Sequence, residues 1–193
     1  METYLDNRKF RVIFITGGAR SGKSSFALRQ AEKIDGKKLF IATAQPLDAE
    51  MTARIERHRK ERGQNWDTAE VPLKISETLK NQGAFYKVIL IDCLTLWLFN
   101  AMGGHEETSV IDIKMVATIN TLIDDLQDIQ HSPCRFEDLS TIFIVSNEVG
   151  MGIVPGNRSA RIFRDMAGQL NQKIAQIADE VYLMVSGLPL QVK

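Results

Sequence analysis

Residues 17–24 read Gly17-Gly18-Ala19-Arg20-Ser21-Gly22-Lys23-Ser24, which satisfies the spacing G-x-x-x-x-G-K-[ST]. This run constrains the fold more than any other feature, because it works only at one kind of junction. Its glycines let the backbone turn so tightly that successive N–H groups converge on one point, and the helix that follows adds its partial positive charge there. A strand must therefore enter the run and a helix must leave it. Arg11 to Thr16 (RVIFIT) is a β-branched and aromatic run that reads as a buried strand. Ser24 to Lys33 is rich in helix formers, with Phe26, Leu28 and Ala31 as its apolar positions. In that context the run reads as a phosphate loop rather than a chance turn. Its amides cradle phosphate oxygens, Lys23 reaches the β- and γ-phosphates, and the Ser24 hydroxyl is a ligand for Mg²⁺.

The rest of the chain supplies the sheet that such a loop needs. Lys38 to Thr43 (KLFIAT), Lys87 to Ile91 (KVILI), Thr141 to Ser146 (TIFIVS) and Val181 to Ser186 read as strands, the last being the final one. Asp48 to Arg62, Leu94 to Met102, Val110 to Gln130 and Ser159 to Ala178 read as helices. The last is amphipathic, with Ile162, Met166, Leu170, Ile174 and Ile177 facing inward. Near-continuous apolar strands that alternate with helices predict a mainly parallel central sheet covered on both faces, hence a three-layer α/β domain of the P-loop NTPase type. There is no internal repeat, low-complexity tract or linker. One domain over residues 1–193 accounts for the pattern, with 1–9 as a short N-terminal extension and His131 to Leu139 as an exposed connection.

Composition narrows the partners. Lys plus Arg number 24 and Asp plus Glu number 24, so the chain lacks the basic excess by which a broad nucleic-acid face holds phosphates. Cys93 and Cys134 are too few for a disulfide framework and read as reduced thiols. The longest apolar runs fall far below the roughly 18 residues of a membrane span. The charged N-terminus runs directly into the strand and loop, unlike a secretory signal. These features predict a cytoplasmic protein with small-molecule partners and no nucleic acid.

A phosphate loop needs a second metal contact from a hydrophobic strand that ends in an acid, and Asp92 after Lys87 to Ile91 has that form. A strand-end aspartate also commonly caps a turn; beside the phosphate loop the metal reading is favoured. No N-K-x-D guanine-reading motif of regulatory GTPases occurs, and Asn171-Gln172-Lys173 does not fit it. Small-molecule phosphoryl transfer is the better expectation than a switch or a motor.

Charge is concentrated in one place. Arg54, Arg57, Arg59, Lys60 and Arg62 surround His58. Most charge runs are solvated helix faces, and most lone histidines are structural or positioning residues. Here His58 shares the helix face of Met51 and Ile55, and its cationic neighbours suit a triphosphate. They also disfavour imidazolium, which would leave a neutral nitrogen free to attack phosphorus. His105 and His131 read as surface residues.

Beyond the phosphate loop, the blocks IATAQPLDAEM, ARI-RHR, TAE, ILIDCLTLW, VSNEVGMGIVP-NR-AR-FRD-AG-LNQ and ADEVYLMVSGLPL together resemble the bifunctional adenosylcobinamide kinase / adenosylcobinamide-phosphate guanylyltransferase family of cobalamin biosynthesis. The resemblance runs from about Phe10 to Lys193. It implies a RecA-like P-loop fold, often trimeric. It implies phosphorylation of the aminopropanol hydroxyl of adenosylcobinamide by ATP or GTP with Mg²⁺. Transfer of GMP from GTP to that phosphate would follow, through a guanylyl-histidine, with release of pyrophosphate. The family's nucleophile falls on His58. Its nucleotide contacts fall on Gly17 to Ser24, on Ala42, Thr43 and Ala44, on Arg59, Lys60, Glu61 and Arg62, on Glu70 and on Asp92. Ser24 and Asp92 would hold the metal, and Lys23 would join His58 as a catalytic residue. Some members carry two adjacent histidines at the nucleophile, whereas Arg57 precedes a single one here. Glu70 and Asp92 stay interchangeable among guanine, ribose and metal. The loop Asn147 to Pro155 reads equally as a corrinoid contact and as a structural glycine turn.

Overall fold

Strands buried on both faces are what build the layers. A computed structural model describes residues 10–60, 62–63, 65–103, 109–131 and 138–193; within these, the side chains at 50, 54, 57, 58, 60 and 109–113 fall outside the description. The strands are β1 Arg11–Gly17, β2 Lys38–Ala42, β3 Trp66–Glu70, β4 Val88–Asp92, β5 Thr141–Val145, β6 Glu180–Val185 and β7 Leu188–Gln191. The helices are α1 Lys23–Glu32, α2 Ala49–Lys60, α3 Ile75–Gln82, α4 Leu94–Met102, α5 Ser109–Gln130 and α6 Arg158–Ile177. The strands form one sheet in the order β3-β2-β4-β5-β1-β6-β7, parallel except for β7.

Successive side chains of a strand point to opposite faces, so the buried strands feed two cores. Val12, Phe14, Leu39, Ile41, Ile89, Ile91, Ile142 and Ile144 pack on one face against α3 to α6. Ile13, Ile15, Phe40, Val88, Leu90, Phe143 and Val145 pack on the other, where α1 contributes Phe26, Ala27 and Ala31. The three layers and the mainly parallel sheet are thus as expected.

The sheet has two strands more than the apolar runs suggest, both at its edges. β3 (WDTAE) is polar because only one side of an outermost strand is covered, and its register is set by parallel pairing of Lys38 with Trp66 through Ala42 with Glu70. β7 (LPLQ) follows β6, so Val181 to Ser186 is not the last strand. Ser186 and Gly187 both have positive φ (51° and 86°), the geometry of a tight hairpin turn whose twist matches that of the strands. Pro189 is tolerated there because an edge strand needs no outward N–H. The helix α3 also escapes the apolar pattern. It has one turn of buried contacts, Ile75 and Leu79, and is tied to α5 by a Lys80–Asp125 ion pair of 2.5 Å.

Local chemistry sets the helix ends. Asp48 accepts the Met51 N–H at 2.7 Å ahead of α2, and Asn157 accepts the Ala160 N–H at 2.7 Å ahead of α6. Lys193 closes the other end of α6, donating from Nζ to the carbonyls of Ala175, Gln176 and Ala178 at 3.1, 3.0 and 2.6 Å. A cation there satisfies three acceptors and opposes the negative helix end. Lys193→Met is expected to cost about 1 kcal/mol of stability, read as a lower denaturation midpoint; an unchanged midpoint would rule out this cap.

Candidate active site

The phosphate loop leaves β1 at Gly17 and enters α1 at Lys23, with Gly22 as N-cap at φ 93°. Gly18, Ala19 and Arg20 are exposed, and Ser24 stands half-buried in the first turn. Lys23 is 6% exposed; its ammonium donates to the Gly18 carbonyl at 2.6 Å and to Ser21 Oγ at 3.5 Å. The charge is thereby held over the loop in advance of any ligand. Gly17 has φ 146°, and a Cβ there would lie 2.5 Å from the Met184 carbonyl oxygen and 2.9 Å from Ser21 Oγ. Gly17→Ala should therefore destabilise the protein by about 2–3 kcal/mol and weaken nucleotide binding, which denaturant titration and a binding isotherm would measure. Wild-type values in both would contradict the steric argument.

Three neighbouring strands end in one row. Ala42 pairs with Glu70 on one side and with Asp92 on the other, and Asp92 pairs with Val145 of β5. With strands spaced about 4.8 Å apart, Glu70 and Asp92 stand roughly 10 Å apart across Ala42. Thr43 turns away from this row: it is fully buried, its hydroxyl donating to the Cys93 carbonyl at 2.7 Å and accepting the Cys93 N–H at 2.8 Å. Of the expected stretch 42–44, Ala42 and Ala44 face the open space.

That space is a cavity of about 240 Å³ between α2 and the sheet. Met51 and Ile55 line it from the helix, as their spacing predicts, and Phe40 and Thr68 line it from the strands. Arg59 reaches across to form an ion pair with Glu70. The Arg62 guanidinium stacks 4.0 Å from the centroid of the Phe40 ring. Two members of the basic cluster therefore serve this one cavity, which Asp92 also lines. The side chains of His58 and Lys60 and the whole of Glu61 lie outside the described residues, although the backbone places position 58 in the last turn of α2.

The phosphate loop does not line this cavity; Asp92, which does, ends β4, and β5 separates that strand from β1, which carries the loop. Cys93, next in the chain after Asp92, is buried. Burial foremost, and then the Asp92 carboxylate, push its thiol up to about 12 despite the opposing Lys23 ammonium. It is a neutral packing group, as befits a reduced thiol. Cys134 and His105 lie outside the described residues. His131 is exposed, with Nδ1 2.7 Å from the Gln127 carbonyl, and is the expected surface residue.

A buried polar network behind the loop was not legible in the sequence. Thr95 and Ser146 share a hydrogen bond of 3.1 Å, and Thr95 Oγ1 accepts the Asn147 N–H at 2.6 Å. Asn171 donates to the Asn147 carbonyl at 3.0 Å, and the Glu148 N–H donates to the Gly17 carbonyl at 2.9 Å. The start of the loop 147–156 is thus locked to β1 and α6. The one available signal was its position directly after a strand end. The Arg59–Glu70 pairing had no signal at all, since it joins two elements through space.

A strand, a phosphate loop and a helix, set in this strand order with an acid at the end of β4, define a P-loop nucleotide-binding protein of RecA type. The fold is shared with an ATPase of a bacterial type III secretion system (TM-score 0.53, 12% identity, 90% of this chain and 50% of that one). It is shared equally with a Pyrococcus horikoshii OT3 protein (TM-score 0.53, 6% identity, 96% and 87%). The family described as cobinamide kinase / cobinamide phosphate guanyltransferase matches residues 13–192. The chain is 42% identical over 188 residues to the bifunctional adenosylcobalamin biosynthesis protein CobU of Salmonella typhimurium, covering 94% of this chain and 99% of that one. It is 38% identical over 179 residues to the bifunctional adenosylcobalamin biosynthesis protein CobP of Pseudomonas aeruginosa, covering 93% and 95%. The chain belongs to this family of cobalamin-biosynthesis enzymes.

Proposed function

We propose that this protein phosphorylates adenosylcobinamide with ATP or GTP, and then transfers GMP from GTP to the new phosphate by way of a guanylyl group on His58. The observation that carries the reading is the presence on one sheet edge of two distinct regions: the phosphate loop with its buried Lys23, and the cavity beneath α2 lined by Arg59, Arg62, Glu70 and Asp92. One loop suffices for a kinase. A second cavity that two arginines line suits an enzyme that handles a triphosphate in two ways.

In the first step the acceptor hydroxyl attacks the γ-phosphorus and the nucleoside diphosphate leaves, with Lys23 and the loop amides stabilising the phosphoryl charge. In the second, a neutral His58 nitrogen attacks the α-phosphorus of GTP and pyrophosphate leaves. A phosphate oxygen of the corrinoid then displaces the histidine, so that one difficult transfer becomes two displacements. Arg59 and Arg62 would stabilise charge on the α-phosphate and on the leaving pyrophosphate. Glu70 would then exchange its pairing with Arg59 for a nucleotide contact.

Mg²⁺ fits the donors at hand. The Ser24 hydroxyl and the Asp92 carboxylate would hold it as hard oxygen ligands, too few for a protein-only cage, as suits an ion that keeps water and binds substrate phosphates. When bound, the ion would neutralise phosphate charge. The family resemblance further supports a cytoplasmic homotrimer, which sedimentation equilibrium tests.

The deciding experiment is covalent labelling. Protein incubated with Mg²⁺ and GTP labelled in the α-phosphate should acquire an acid-labile, base-stable adduct. GTP or ATP labelled in the γ-phosphate should instead label the corrinoid. Unlabelled protein would overturn the guanylyl-histidine, and an unlabelled corrinoid would overturn the kinase.

A further inference from the structure

We infer that Glu148 is the general base of the kinase step, accepting the proton of the acceptor hydroxyl; the inference rests on the kinase reading above. The topology singles it out. The strand β5 lies between β1, which carries the phosphate loop, and β4, which carries Asp92. Whatever follows β5 therefore sits between the loop and the metal-binding acid, at the C-terminal edge where open α/β sheets bind ligands. The chain there continues the β1–β5 ladder: Ser146 N–H donates to the Ile15 carbonyl at 3.0 Å and Glu148 N–H to the Gly17 carbonyl at 2.9 Å. Glu148 is thus attached to the first glycine of the phosphate loop. Its neighbour Asn147 is clamped from both sides by Thr95 and Asn171, which fixes the backbone that presents the carboxylate.

The other acids at the strand ends are occupied. Glu70 is paired with Arg59, and Asp92 is the metal acid of the proposed mechanism. The half-buried Glu148 carboxylate accepts the Gly150 N–H at 2.6 Å through Oε1, its hydrogen bond among the described residues. That bond orients the group and leaves Oε2 for a substrate hydroxyl. The same loop continues into Met151, Ile153 and Val154, which are 79%, 97% and 61% exposed. Such a rim suits an acceptor whose hydroxyl hangs from a large apolar body.

In the step so assigned, the hydroxyl proton passes to Glu148 Oε2 as the alcohol oxygen bonds to the γ-phosphorus. The bond from that phosphorus to the β,γ-bridging oxygen breaks, and the nucleoside diphosphate leaves with its electron pair. Glu148 then returns the proton to solvent.

The test compares Glu148→Gln and Glu148→Asp with wild type. Corrinoid phosphorylation by Glu148→Gln should lose about 10²-fold or more in kcat, the range of a general base, while nucleotide KM stays within about threefold. The rate of covalent labelling from GTP should be unchanged in the same preparation, which a merely structural loss would not spare. Glu148→Asp should recover part of kcat. A Glu148→Gln enzyme with kcat within about threefold of wild type would overturn the assignment, as would parallel loss of phosphorylation and covalent labelling. Wild-type protein that fails to phosphorylate the corrinoid would instead remove the kinase reading itself, and this inference with it.

Discussion

Lys23→Ala should lower nucleotide-dependent phosphorylation of the corrinoid by about 10²–10³-fold or more in kcat, the usual cost of removing one preorganised charge from a developing anion. The reason lies in how the side chain is held. Lys23 is 6% exposed and its ammonium already rests 2.6 Å from the Gly18 carbonyl, so little reorganisation is needed when a phosphate arrives. Truncation removes that charge and leaves the Gly18 carbonyl with the Ser21 N–H at 3.2 Å as its remaining donor. A modest loss of stability should accompany the loss of rate, so thermal unfolding is measured beside kcat. A folded Lys23→Ala protein with near wild-type phosphorylation would show that this loop is not where the γ-phosphoryl group is transferred.

His58→Ala should abolish the covalent label from GTP and lower GMP transfer by about 10³-fold or more, because a nucleophile has no substitute within its own displacement. Phosphorylation of the corrinoid should persist within about threefold, because its charge stabilisation comes from the loop rather than from α2. The His58→Ala variant therefore divides the activities: loss of GMP transfer with retention of phosphorylation is the pattern that two separate steps on one chain require. Equal loss of both activities in His58→Ala would place His58 in a shared structural role, the ordinary fate of a lone histidine.

Cavity geometry bears on how the steps share space. Arg59 and Glu70 neutralise one another across the cavity, and Arg62 lies on Phe40. A triphosphate entering there would compete for both guanidinium groups. The helix α2 carries both Arg59 and His58, and Arg62 lies beyond its end, so nucleotide binding at Arg59 would be coupled to nucleophile placement through α2.

Much of this was written in local patterns. The phosphate loop, its strand and its helix were legible because they are contiguous and their spacing has one chemical use. The strands β1, β2, β4 and β5 were legible because strands buried on both faces are apolar throughout. The Met51 and Ile55 face of α2 followed from helical period, and these residues do line the cavity. The polar edge strand β3 and the proline-bearing β7 escaped, because an edge strand is covered on one side only and loses the apolar signature. Thr43 was placed among the nucleotide contacts by resemblance to the family, yet its hydroxyl is spent on Cys93.

What the sequence determined alone is the list of chemical groups and the order in which a P-loop fold must string them. It names Lys23, Ser24, His58 and Asp92 because each carries a reactive group in a recognisable setting. What only the tertiary structure decided is which groups meet. The order β3-β2-β4-β5-β1 sets Glu70, Ala42 and Asp92 in one row and brings Glu148 to Gly17, residues 131 positions apart in number but joined by one backbone hydrogen bond. Parallel strands pair without regard to their separation along the chain, so no local pattern could have announced that contact.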